Sequence, residues 1–138
     1  MKRAVVVVIA LVLAAAPVAA EHTVDTRYVV LGFVKDAQGK LRPGHAVEVV
    51  RDKTGFAYPG RTDEQGFFVV VVRLGDESVG EALTLRVGPA ATTVTARFDP
   101  TNHTDDRGTR VDLDGTKFVE RTTAFRPTLA RFVRSERP

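Results

Sequence analysis

Three histidines and a run of aspartates are the residues of this 138-residue chain with the most chemistry to offer. His22, His45 and His103 show no i, i+2 or i, i+4 spacing, so no two imidazoles share a strand or helix face as paired metal ligands. Asp99, Asp105, Asp106, Asp112 and Asp114 fall close together, and Asp112-Leu113-Asp114-Gly115 echoes part of a calcium loop. The rest of the twelve-residue pattern is missing, and no glutamate stands at its closing position. The acids therefore read as a solvated loop. Cysteine is absent, which removes disulfides, thiol catalysis, thiolate metal sites and a lipid-attachment cysteine together. There is no nucleophile elbow, no phosphate loop and no serine with a partnered base. The expectation is a protein that is not an enzyme, with no catalytic residue, cofactor or metal.

The first twenty residues form a separate unit. Lys2 and Arg3 precede an unbroken apolar run from Ala4 to Ala16, and Pro17-Val18-Ala19-Ala20 supplies small residues before Glu21. This is the pattern of a secretory signal peptide over 1–20, cleaved after Ala20. As a helix the run spans only about 20 Å, short of the ~30 Å hydrocarbon core of a bilayer. The mature chain is expected in the periplasm or outside the cell. Leader and arginine-rich composition point to a bacterial protein, in which the Asn102-His103-Thr104 sequon carries no sugar. The precursor has 20 basic and 17 acidic residues; without Lys2 and Arg3 the balance is 18 against 17. A working protein so nearly neutral offers no general nucleic-acid surface.

The elements that must position any site are strands. Arg27 to Val34, His45 to Arg51, Phe56 to Arg61, Phe67 to Arg73, Ala82 to Val87, Thr92 to Phe98 and Thr109 to Leu113 are rich in β-branched and aromatic residues. Turns separate them, among them Asp36-Ala37-Gln38-Gly39 and Asp63-Glu64-Gln65-Gly66, with Asp at the first position and Gly at the fourth. Leu83, Leu85 and Val87 alternate with Thr84 and Arg86, and Val94, Ala96 and Phe98 with Thr95 and Arg97, as half-buried strands do. The pattern predicts an all-β, about seven-stranded Greek-key β-sandwich over 21–115. Phe67 to Val72 is expected to be its central strand. That strand and Tyr28 to Val34 are apolar on both faces, so something must cover the second face. Candidates are the C-terminal segment and a partner protein.

The C-terminal segment, 116–138, is basic. From Lys117 onward it holds six cations (Lys117, Arg121, Arg126, Arg131, Arg134, Arg137) against Glu120 and Glu136. Phe125, Leu129, Phe132 and Val133 recur at helical spacing, and Pro127 suits a first helical turn. Arg126, Arg131 and Arg134 lie off that stripe. Two readings are open: a basic amphipathic element that docks on a partner, or a flap, helical or extended, over the segment's own sheet.

The stretch VVLGFVKDAQGKLRPGHAVEVV, followed after a short gap by GRTDEQGFF, resembles bacterial carboxypeptidase regulatory-like domains of the transthyretin-like (prealbumin-like) group. The matching positions are Gly32, Val34, Asp36, Gly39, Pro43, Gly44, Val47, Thr62, Asp63, Gly66 and Phe67. The resemblance covers about half the mature chain and implies a β-sandwich. Its motifs are turn residues and carry no site. Some transthyretin-like proteins hydrolyse 5-hydroxyisourate with histidines and an arginine, and end in Tyr-Arg-Gly-Ser. Here Tyr28 to Val34 has no histidine and the chain ends Phe132-Val133-Arg134-Ser135-Glu136, which departs from that pattern. The expected role is that of an exported accessory or adaptor module that binds another envelope or secreted protein through Phe125, Arg126, Leu129, Arg131, Phe132 and Arg134. Membrane contact is expected only through an uncleaved leader or through the basic tail on anionic lipid. The alternative is a carbohydrate-binding module, with Tyr58 beside Pro59-Gly60 as its aromatic platform.

Overall fold

The computed structural model describes residues 24–136. The expected leader at 1–20 and His22 lie outside the described residues. Within them run eight strands: β1 (Arg27–Lys35), β2 (Ala46–Arg51), β3 (Phe56–Arg61), β4 (Phe67–Arg73), β5 (Ala82–Val87), β6 (Ala90–Thr95), β7 (Gly108–Asp114) and β8 (Lys117–Glu120). A 3-10 turn at Thr122–Ala124 leads into a helix, α1 (Phe125–Glu136). The strands make two four-stranded sheets, ordered β4-β1-β7-β8 and β3-β2-β5-β6. The protein is thus mostly β, and its two sheets share one core.

That core is built from alternate residues. Tyr28, Val30, Val70, Val72 and Val111 of the first sheet meet Val47, Val49, Leu83, Leu85 and Val94 of the second. Full burial of such a side chain is worth about 1.5–3 kcal/mol. In β5 the expected alternation holds, with Leu83, Leu85 and Val87 buried and Arg86 exposed. Arg51 steadies the rim of the second sheet. Its Nε and Nη2 donate to the two Glu81 carboxylate oxygens at 2.8 and 2.7 Å, and this bidentate pair brings the Glu81 pKa down to about 2.

Two expectations are corrected. Phe67–Arg73 is an edge strand, and β1 lies inside the sheet, antiparallel to β4 and parallel to β7. Two-faced apolarity reported a second cover, which an edge strand can also have. Val29, Leu31 and Phe67 form a second cluster on the outer face, packed with Phe33, Val69, Leu129 and Phe132 beneath Phe125. The strand count is eight because Lys117–Glu120, expected beyond the sheets, pairs antiparallel with β7. Gly115, at φ +69°, opens the two-residue loop between them, where a type II′ turn places glycine.

The Asp-x-x-Gly turns form as read. Asp63 Oδ1 accepts from the backbone N–H groups of Gln65 and Phe67 at 2.8 and 3.0 Å, and Gly66 N donates to Asp63 O at 3.0 Å. Asp36 does the same for Gln38 and Lys40, both at 2.9 Å. At Gly32 and Gly108 glycine supplies room rather than curvature. A Cβ on Gly32 would stand 1.8 Å from the Val111 carbonyl oxygen, and one on Gly108 2.1 Å from that of Val29.

Candidate functional site

α1 is held by a buried ionic cluster at its root. Asp112 on β7 is 3% exposed and accepts from Phe33 N at 2.9 Å, from Arg110 Nη2 at 3.0 Å and from Arg121 Nη1. Arg110 also donates to Thr128 Oγ1 at 3.1 Å, and that hydroxyl donates to the Ala124 carbonyl at 2.6 Å in the first helical turn. One carboxylate therefore joins β1, β7, the strand-to-helix connection and α1. Two guanidinium groups stand where a calcium ion would have to bind Asp112, so the echo of a calcium loop has an ionic explanation. Among the described residues no group of three His, Cys, Asp or Glu side chains could hold a metal.

The helix spends its apolar stripe on its own sheet. Phe125 is buried, Leu129 and Phe132 are half-buried against the outer cluster, and the Phe132 and Phe67 rings lie 5.4 Å apart. Arg126, Arg131 and Arg134 face outward. Arg126 reaches Asp105 at 3.7 Å, whereas Arg131 and Arg134 have no ion pair among the described residues. The six residues expected to bind a partner thus divide: the three apolar ones seat the helix, and the three arginines charge its exposed side.

The covering is incomplete. Between α1 and β4 runs an open groove of about 500 Å³, with Val29, Val69, Val71, Leu129, Phe132 and Val133 as its apolar lining and Arg27, Arg73 and Asp106 beside them. Val71 is 47% exposed and Val133 42%. An adjoining hollow of about 450 Å³ shares Asp106, Leu129 and Val133 and continues to Arg126 and Arg134. The first is a trough beside α1, and the second meets it at these shared residues. The expectation for the site did not include Val71 or Val133 as binding residues; the signal for Val71 was a valine on an outer strand face, and for Val133 a fourth apolar residue on a helix needing only three.

A third hollow, about 270 Å³, lies at the polar loop and includes Arg97, Asp99, Asn102, Asp106 and Arg107. Most of its polar groups are occupied locally. Asp99 accepts from the backbone and hydroxyl of Thr101, and Asn102 Oδ1 from the backbone N–H groups of Thr104 and Asp105. Arg107, 4% exposed, lies 4.3 Å over the Phe98 ring and donates to Asp76 at 2.8 Å and to the Asn102 carbonyl at 3.1 Å. Its Nε is buried and has no partner among the described residues. His103 Nε2 is 2.9 Å from both Asp76 Oδ2 and the Pro100 carbonyl. His45 is on the entry to β2, and among the described residues no second histidine joins it in a ligand set.

The Asp76 carboxylate raises the His103 pKa above its ordinary 6.5, while Arg107 first, and then His103, hold Asp76 below 3.8. A raised histidine pKa stabilises the folded loop below about pH 6.5 and ceases to do so as pH rises through the folded value. Amide exchange of residues 99 and 101–104 is expected to quicken, beyond the intrinsic base-catalysed rise, as pH climbs from about 6.5 through the raised folded value. His103→Asn should remove that excess; an unchanged excess in the variant would refute the clasp.

What fold and site define, over the described residues, is a two-sheet β protein with one helix half-covering an outer face. No family model matches the chain, and no curated protein does. Among solved structures it is similar to the dioxygenase domain of a dioxygenase carbohydrate-binding protein fusion from the cellulolytic bacterium Streptomyces sp. SirexAA-E. Identity is 14%, the TM-score 0.40, and the match covers 72% of this chain and 78% of that one. A likeness so distant carries no argument about activity.

Proposed function

We propose that this protein is an exported, non-catalytic β-sandwich of the transthyretin-like, carboxypeptidase regulatory-like kind, acting as an accessory or adaptor module on another envelope or secreted protein. The observation that carries the reading is the trough between α1 and β4, where two valines remain exposed beside half-buried Leu129 and Phe132. Exposed apolar side chains gathered in a polar-rimmed groove are the usual mark of a protein contact. The leader at 1–20 supports export, and the two Asp-x-x-Gly turns with two packed sheets support the Greek-key sandwich.

The test is affinity capture from an envelope extract, using the expressed full chain and a Val71→Glu/Val133→Glu variant. Both positions are solvent-facing, so circular dichroism should show the variant folded. A protein retained by wild type, lost by the variant and bound again after purification would establish the adaptor. Equal retention by both moves the contact off the groove. A folded bait that captures nothing ends the adaptor reading.

A second reading has one observation in its favour. Phe56, 61% exposed, lies 4.9 Å from the ring of Tyr58 on β3, which is half-buried against the core, so that the pair offers one exposed aromatic ring of the sort sugar-binding faces use. A glycan screen in which Phe56→Ala and Tyr58→Ala bind as wild type does would count against it.

A further inference from the structure

We infer that one end of the sandwich binds a small organic acid, an apolar body carrying a carboxylate, at a site independent of the adaptor reading. A fourth hollow, about 270 Å³, lies among the ends of β1, β5, β6 and β7, with Val34, Val87, Ala90 and Leu113 in its wall. Val34, Val87 and Leu113 are core side chains, and Ala90 packs against the same cluster. The hollow therefore opens onto the end of the core and has an apolar floor. Lys35, Arg42 and His45 also line it, with Asp36 as its one carboxylate. The side chains of Lys35 and Arg42 have no partner among the described residues. Asp36 Oδ1, in contrast, already accepts from the Gln38 and Lys40 N–H groups at 2.9 Å. Two unpaired cations against one engaged carboxylate leave a positive rim over an apolar floor. That combination selects an anion with an apolar body.

The rim is fixed at its base. Thr62, 3% exposed, accepts from His45 N at 2.7 Å and donates its hydroxyl to the Arg42 carbonyl at 2.6 Å. Arg42 N donates to the Val34 carbonyl at 2.9 Å, so the same segment is tied to β1. The His45 ring lies against the turn between β5 and β6: a Cβ on Gly88 would stand 3.2 Å from its Nε2. Other occupants fit less well. A metal ion would find no ligand set among the described residues. An inorganic anion would leave the apolar floor unused. At about 270 Å³ the hollow falls just short of the roughly 300–1,000 Å³ of drug-sized sites, which suits one ring or a short acyl chain.

Titration of the expressed full chain, followed by amide chemical shifts, would test the site. The probes are benzoate, its neutral counterpart benzamide, acetate as charge without a ring, and inorganic phosphate. Benzoate is expected to move the amides of residues 34–37, 42, 44–45, 87–88, 90 and 113–116. It should bind at least about threefold tighter than benzamide, acetate or phosphate, and weaken with added salt. Lys35→Glu/Arg42→Glu changes two exposed positions. It should bring benzoate down to the affinity of benzamide while benzamide itself binds as before, which separates lost charge from lost fold. Failure of benzoate to bind, shifts centred elsewhere on the protein, or a preference smaller than threefold over any of the three other probes would overturn the proposal. So would a preference for benzoate that survives in the variant.

Discussion

Asp112→Ala is expected to cost about 3–5 kcal/mol of stability, the range for removing one partner of a buried ionic cluster. The carboxylate side chain is 5% exposed, while Arg110 is 21% and Arg121 40% exposed, so the arginines recover some hydration and the lower end of the range applies. Phe33 N would also lose its acceptor at 2.9 Å. Because Arg110 reaches on to Thr128 and lies 5.0 Å from the Phe33 ring centroid, the first turn of α1 should loosen with it. Asp112→Asn, which keeps the shape and one acceptor oxygen, should fall between the two. Urea unfolding monitored by circular dichroism measures both. A loss below about 1 kcal/mol for Asp112→Ala would mean the cluster is merely decorative and α1 is held by its apolar face.

Gly32→Ala should be at least as damaging, for steric reasons. The added carbon would stand 1.8 Å from the Val111 carbonyl oxygen and 2.6 Å from its carbon, both backbone atoms that cannot swing aside. Strands β1 and β7 would have to part along their parallel ladder. A loss above about 3 kcal/mol, or no folded protein, is expected. Gly39→Ala is the contrast. Gly39 has φ +79° and nothing within 4 Å of the added carbon, so only left-handed backbone strain of about 1–2 kcal/mol is at stake. If thermal or urea unfolding ranked Gly39→Ala as the worse of the two, the close approach of β1 and β7 would be wrong.

How much of this could be read from residues alone depended on whether local pattern or tertiary placement decided the matter. The bounds of β3, β4 and β5, the inward set Leu83, Leu85 and Val87, and the turns at Asp36 and Asp63 all follow from alternation and turn chemistry. The helix at 125–136 was visible in the spacing of Phe125, Leu129 and Phe132 as one of two open conformations. The edge position of β4 was not, because covering by a helix leaves the same two-faced apolar signature as a strand buried mid-sheet. β8 was hidden by its shortness and by two charged ends, although Asp114-Gly115 is a hairpin signal. Asp112 looked like a loop acid because Arg121 becomes its neighbour only when β7 and β8 pair, and because nothing in the sequence set Arg110, two residues away on the same strand, apart from the other arginines. The trough was the least legible part: Val71 and Val133 lie far apart in sequence, one on β4 and one on α1, and come together only in the fold.

The parallel pairing of β1 with β7 also governs when the chain can become a protein at all. Phe33 N and its acceptor Asp112 are 79 residues apart. On a ribosome, or in any channel that passes the N-terminus first, β1 emerges early with both faces apolar. It finds β4 after one sheet-to-sheet excursion but waits for its other neighbour until almost the whole chain is out. Closing so long a loop carries an entropic cost before any contact offsets it, and folds dominated by such distant pairings assemble in milliseconds to seconds rather than microseconds. During that wait Val29, Leu31 and Phe67 have no helix above them, so the nascent chain is at its stickiest on the very face that α1 later shelters.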